Sequence, residues 1–244
     1  MINLAFSLGL AILVSFGFLA LKVQSWISIP MGIISGFLLF IFLGRKIQVQ
    51  LEAIMARMQK DMQDSKIDRA IETLKEGFEL RHRHFFISGQ LNAQIGVLYY
   101  LQGPKKYDLA LDHFKKGFVK HFIAQGMMAV IYYKRKNYDA MKETMDRTVQ
   151  ASKKESIVYG LYAYLLYQIK DKEKAIEVLQ KGIKKLPGDE KLTVNLVQLQ
   201  NNKKMKMKVY GEMWVQFMLE RAPRIQQQAP PHMRMSRKAM FRGR

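Results

Sequence analysis

The sequence predicts an all-α protein: an N-terminal pair of apolar helices, then a solenoid of helix pairs, then a basic disordered tail. Three observations carry this reading. Two uncharged apolar runs open the chain. A helix–turn–helix pattern recurs through its middle. The final stretch is basic and almost free of acidic side chains.

The apolar runs span residues 2–21 and 27–43. About 20 residues at 1.5 Å rise cross a hydrocarbon layer of roughly 30 Å, so the first is long enough and the second is near the lower limit. Lys22, Gln24 and Ser25 break them polarly, with Trp26 suited to an interface. Pro30 falls in the first turn of the second run, where a missing N–H costs least. Gly32 and Gly36 have the G-x-x-x-G spacing that lets helices approach closely in lipid. Residues 1–46 therefore read as a transmembrane hairpin with two crossings. A cleavable signal peptide would want a basic start, and residues 1–6 have no basic side chain. Arg45 and Lys46 follow the second run, against Lys22 alone in the connecting loop. The positive-inside rule then places the remaining domain, and the N-terminus, in the cytoplasm. The expected location is the inner cell membrane, as a multi-pass protein.

The formal charge is +20. Residues 203–244 hold 11 basic and 2 acidic side chains, so the excess is concentrated at the end. A field of that sign favours anionic lipid, nucleic acid or an acidic protein. With no cysteine, disulfides, thiolate metal sites and cysteine nucleophiles are excluded.

Residues 47–64 form helix, either continuing the second membrane helix or opening the domain. Beyond them, residues 95–118, 128–148 and 162–183 align with one another: a small residue, a Tyr or Leu, a polar turn, then an amphipathic helix. A further copy of the second helix lies at 67–78. The small residue of the first helix is Gly96, Ala129 and Ala163; that of the second is Ala70, Ala110 and Ala175, with Met141 enlarged. Leu74, Phe114, Met145 and Leu179 follow as apolar anchors, then Gly77, Gly117, Thr148 and Gly182. This pattern resembles the tetratricopeptide repeat family, in a membrane-anchored, bacterial-type form, over about residues 50–200. The resemblance implies 34-residue helix–turn–helix units stacked into a concave solenoid, here of about 3.5–4.5 pairs. Spacings of 40, 31 and 34 between Ala70, Ala110, Met141 and Ala175 depart from a uniform period. The domain is expected over 47–220.

Its last part, 203–220, is expected as a helix that caps the solenoid with Met205, Met207, Tyr210, Met213, Trp214, Phe217 and Met218. A basic amphipathic helix of this kind also suits a membrane surface. Residues 221–244 are the tail: a Gln- and Pro-rich linker, then Arg234, Arg237, Lys238, Arg242 and Arg244 among Met and Phe.

No phosphate-binding loop, dinucleotide fingerprint, zincin motif or nucleophile elbow is present, so the sequence offers no catalytic, cofactor or metal site and the protein is expected not to be an enzyme. His82 and His84 alternate with Arg81 and Arg83 and read as a solvated basic turn. The resemblance implies protein binding along the first helices, at Ala93, Val97, Gly126, Val130, Gly160 and Tyr164. The charged clamp some family members carry there is missing. An apolar, aromatic groove is expected instead, with Gln90, Asn92, Gln94, Met127, Met128, Tyr133, Tyr162, Tyr164 and Tyr167 as candidates. The expected role is a membrane-tethered scaffold for protein partners. The alternative is a tether in which the basic tail holds anionic lipid, RNA or a ribosome.

Overall fold

A computed structural model describes residues 2–82 and 85–220. The basic residues Arg234, Arg237, Lys238, Arg242 and Arg244 lie outside the described residues, as does His84.

Helix α1 spans Ile2–Ala20 and α2 spans Ser25–Gln63, joined by a turn at the polar break. Both are long and apolar enough to cross a membrane. The two glycines of α2 face α1. A methyl group at Gly32 would strike Ser15 and the Ala11 carbonyl; one at Gly36 would lie 2.6 Å from the Ser7 carbonyl oxygen and 2.8 Å from Ala11 Cβ. Only hydrogen fits there, so the backbones close on one another.

Unbroken past Arg45 and Lys46, α2 supplies the first helix of the first pair. Its polar half buries Ile47, Ile54 and Met58 against α3 (Ile67–Glu76), which buries Ala70, Ile71 and Leu74. The sequence left open whether 47–64 continues the membrane helix or begins the domain. It does both.

Three further antiparallel pairs follow: α4 (Phe85–Leu101) with α5 (Tyr107–Lys116), α6 (Phe122–Lys134) with α7 (Tyr138–Ala151), and α8 (Ser156–Gln168) with α9 (Lys172–Lys185). The single helix α10 (Glu190–Gln200) follows them. The arrangement is all-helical and solenoid-like among the described residues. Polar side chains start four of these helices: His121, Asn137, Asp171 and Asp189 each accept a backbone N–H of the first turn. The small residues sit where helices cross. Ala70, Ala110, Ala129, Ala163 and Ala175 have no exposed surface, and Met141 fills an alanine's place equally buried. Gly96 lies directly under the Phe114 ring.

The capping helix expected over 203–220 does not form. The segment has one 3₁₀ turn, Met207–Tyr210, and one short helix, α11 (Glu212–Val215). Two causes are legible. Lys204, Lys206 and Lys208 are exposed while Met205 and Met207 are buried, an alternation of period two that belongs to extended chain. Gly211 then takes a left-handed φ of 60°, which ends any helix across it.

Gly36→Leu is expected to force α1 from α2 and to cost on the order of 1–3 kcal/mol, as overpacking does. A lower unfolding midpoint of the full chain in detergent checks it.

Candidate partner groove

The first helices α4, α6 and α8 differ from their partners in composition. α5, α7 and α9 each carry a polar and an apolar face. α6 (FIAQGMMAVIYYK) and α8 (SIVYGLYAYLLYQ) are apolar nearly all round. Every residue from 124 to 131 on α6 is buried. A helix apolar on all sides needs cover on both faces. The second helices provide one cover. The 203–220 segment provides the other.

Three rings anchor it. Tyr210, Trp214 and Phe217, at i, i+4 and i+7, are 6%, 3% and 1% exposed. Tyr210 lies on Gly160 of α8, and Phe217 lies on Gly126 of α6. A methyl group would lie 2.7 Å from a Phe217 ring carbon at Gly126, and would meet three Tyr210 ring and hydroxyl atoms at Gly160. Trp214 meets Tyr164 edge-on, ring centres 4.8 Å apart. Polar contacts fix the backbone. The Tyr100 hydroxyl of α4 donates to the Phe217 carbonyl. The Lys206 N–H donates to Asn195 Oδ1 of α10 at 2.7 Å, and Asn195 is fully buried. Lys191 Nζ lies 5.7 Å from the Tyr210 ring centre. The first helices α4, α6 and α8 and the single helix α10 therefore hold one segment of their own chain.

The residues singled out from the sequence divide. Tyr164 touches the segment, and Tyr167 joins it in lining a cleft of about 620 Å³ left beside Met205 and Glu220. Met127, Met128 and Tyr162 are core residues, 0%, 5% and 1% exposed. Tyr133 is half-buried near Tyr138, ring centres 6.5 Å apart. Asn92 is spent inside the α4–α5 pair: its Nδ2 donates to the Ser88 carbonyl and its Oδ1 lies 2.8 Å from His113 Nδ1. Gln90 faces a different cleft, against α2. Gln94 is half-buried on α4. Gly126 and Gly160 do face the segment, as ring seats. The occupant itself escaped the sequence reading, although the all-round apolarity of α6 and α8 signalled that something covers them.

Burial pushes the Tyr210 phenol up to about 12, with the Ser156 hydroxyl pulling the other way. Burial, then the Glu220 carboxylate, pushes Tyr164 to about 12. Neither the Tyr210 nor the Ser156 hydroxyl completes a hydrogen bond of full geometry.

The chain matches no protein-family model and no curated protein. Two solved structures match its backbone over 68% of this chain and 92% of theirs. One, "MamA RS-1 ArsTM double mutant", is 22% identical with a TM-score of 0.46. The other, MamA 41-end from Desulfovibrio magneticus RS-1, is 20% identical with a TM-score of 0.45.

Two outcomes follow from this geometry. Phe217→Ala empties a ring seat and is expected to cost about 3–5 kcal/mol, read in chemical denaturation, with a red shift of Trp214 emission. The Tyr164 and Tyr210 phenols have folded values above the ordinary 10.0, so an unfolded or detached chain loses those protons first. Their stabilisation is full below pH 10 and is lost as pH rises toward about 12. Trp214 emission should shift red across that window, and Tyr210→Phe should move the midpoint upward.

Proposed function

We propose that this chain is a non-enzymatic, membrane-tethered scaffold of tetratricopeptide-like fold. Its concave face binds an aromatic segment of a protein partner in place of the one it holds in cis. The observation that carries the reading is the pair of glycine seats, Gly126 and Gly160, each receiving a ring. Such a face discriminates by shape and apolar burial, with the Tyr100 hydroxyl and Asn195 amide as the polar hooks for a backbone. The hairpin α1–α2 would hold the solenoid at the cytoplasmic surface of the membrane, with Arg45 and Lys46 on the inner side. The apolar length of both helices supports the tether. The domain division that goes with this reading is anchor 1–46, scaffold 47–220 and basic tail 221–244.

A labelled peptide of residues 205–220 tests the groove. A cis segment competes at millimolar effective concentration. The full chain carrying Trp214→Ala and Phe217→Ala should therefore bind the peptide at least about tenfold more tightly than the parent. Adding Gly160→Leu should abolish that binding, because a side chain there fills only the space of the Tyr210 ring. Equal binding by parent and variant, or binding untouched by Gly160→Leu, overturns the reading.

A further inference from the structure

We propose that the solenoid edge formed by Phe86, Phe118, Val119, Lys120, Lys153 and Lys154 is a second membrane contact, taking anionic lipid headgroups of the bilayer that holds α1 and α2. It rests on the membrane reading of those two helices.

The fold decides which edge faces the bilayer. α2 leaves its apolar half and runs outward; α3 returns antiparallel. The connection Gly77–His82 and the start of α4 thus come back toward the membrane end of α2. Gly77 is level with Ile54, where an added methyl group would lie 3.4 Å from the Ile54 side chain. Farther along, Phe86 and Ile87 share a cleft of about 610 Å³ with Phe40, Ile41 and Arg45. Phe40 and Ile41 belong to the apolar run, so Phe86 lies at the depth where α2 leaves it. The return of α5 brings the next loop to the same level. The Phe118 N–H donates to the Gly89 carbonyl at 3.1 Å, and the Phe86 and Phe118 rings are 5.2 Å apart.

This edge suits a lipid surface in two ways. Phe86 is 43% exposed and Val119 is 44% exposed, large apolar side chains that still present surface at this edge. Beside them Lys120, Lys153 and Lys154 converge, with Phe122 and one acid, Glu155, on a cleft of about 480 Å³. All three lysines are exposed, and among the described residues none forms an ion pair. Glu79 adds a second acid near the edge. The opposite edge carries acids between its bases: Asp61 pairs with Arg69, Asp64 with Lys66, Asp108 with Arg135 and Asp171 with Lys142, while Lys105, Lys106, Lys136 and Lys170 are exposed beside them. Apolar side chains at the acyl boundary with lysines at headgroup level are what an anionic interface attracts.

With no cysteine in the chain, single spin labels are clean. The full chain is placed in nanodiscs of phosphatidylcholine, or of equimolar phosphatidylcholine and phosphatidylglycerol. Labels replace Phe86, Val119, Ile12 on α1 and Tyr138 on the opposite edge, one at a time. Power saturation compares access to oxygen with access to a nickel chelate. Phe86→Cys and Val119→Cys should read as interfacial in the anionic discs, and Tyr138→Cys as aqueous. Lys120→Glu, Lys153→Glu and Lys154→Glu together should remove the interfacial reading, whereas deleting residues 221–244 should leave it. Aqueous readings at Phe86 and Val119 beside a deep label at Ile12 overturn the edge contact and spare the anchor. An aqueous Ile12 label overturns both. Loss of the contact with the tail deletion assigns it to the tail and overturns the edge.

Discussion

Much of this fold depends on one constraint: α6 and α8 are apolar on two faces and cannot leave either to water. α7 and α9 cover one face. Tyr210, Trp214 and Phe217 cover the other. Burying each ring contributes about 1.5–3 kcal/mol relative to exposure, so the segment is part of the core as well as an occupant of the groove. Any partner that takes its place has to bury comparable apolar surface, or the exposed groove would favour re-closure.

A second constraint is the continuity of α2. Its 39 residues span roughly 58 Å at 1.5 Å each, and they run from an apolar half into a polar half without a break. Gly36, which meets α1, and Ile54, which lies against Gly77 at the end of α3, are eighteen positions apart, five whole turns. The anchor's packing stripe and the solenoid's packing stripe therefore lie on nearly the same side of one rod. Rotating α2 about its axis moves both together, so the edge bearing Phe86 keeps a set angle to α1.

The pairs were legible because their signals are local. Small residues at crossings, apolar residues at helical spacing, and Asn137, Asp171 and Asp189 at helix starts each act within a few residues of themselves. The leading helix of the first pair has no start signal of its own because it is the polar half of a helix whose start lies in an apolar run. The 203–220 segment was misread for a different reason. Its rings have helical spacing, yet the Lys–Met alternation before them has period two and Gly211 separates the two patterns. Where the rings dock is a long-range fact: Phe217 and Tyr100 are 117 positions apart, and nothing near either names the other. Asn92 and Tyr162 illustrate the same limit. A polar or aromatic residue on a first helix can face the groove or its own pair, and only packing decides.

The segment's fit is imperfect at one place. The hydroxyls of Tyr210 and Ser156 are buried without a completed hydrogen bond. An unsatisfied buried hydroxyl costs about 1–3 kcal/mol, whereas phenylalanine in the same seat would leave the ring contacts and drop that cost.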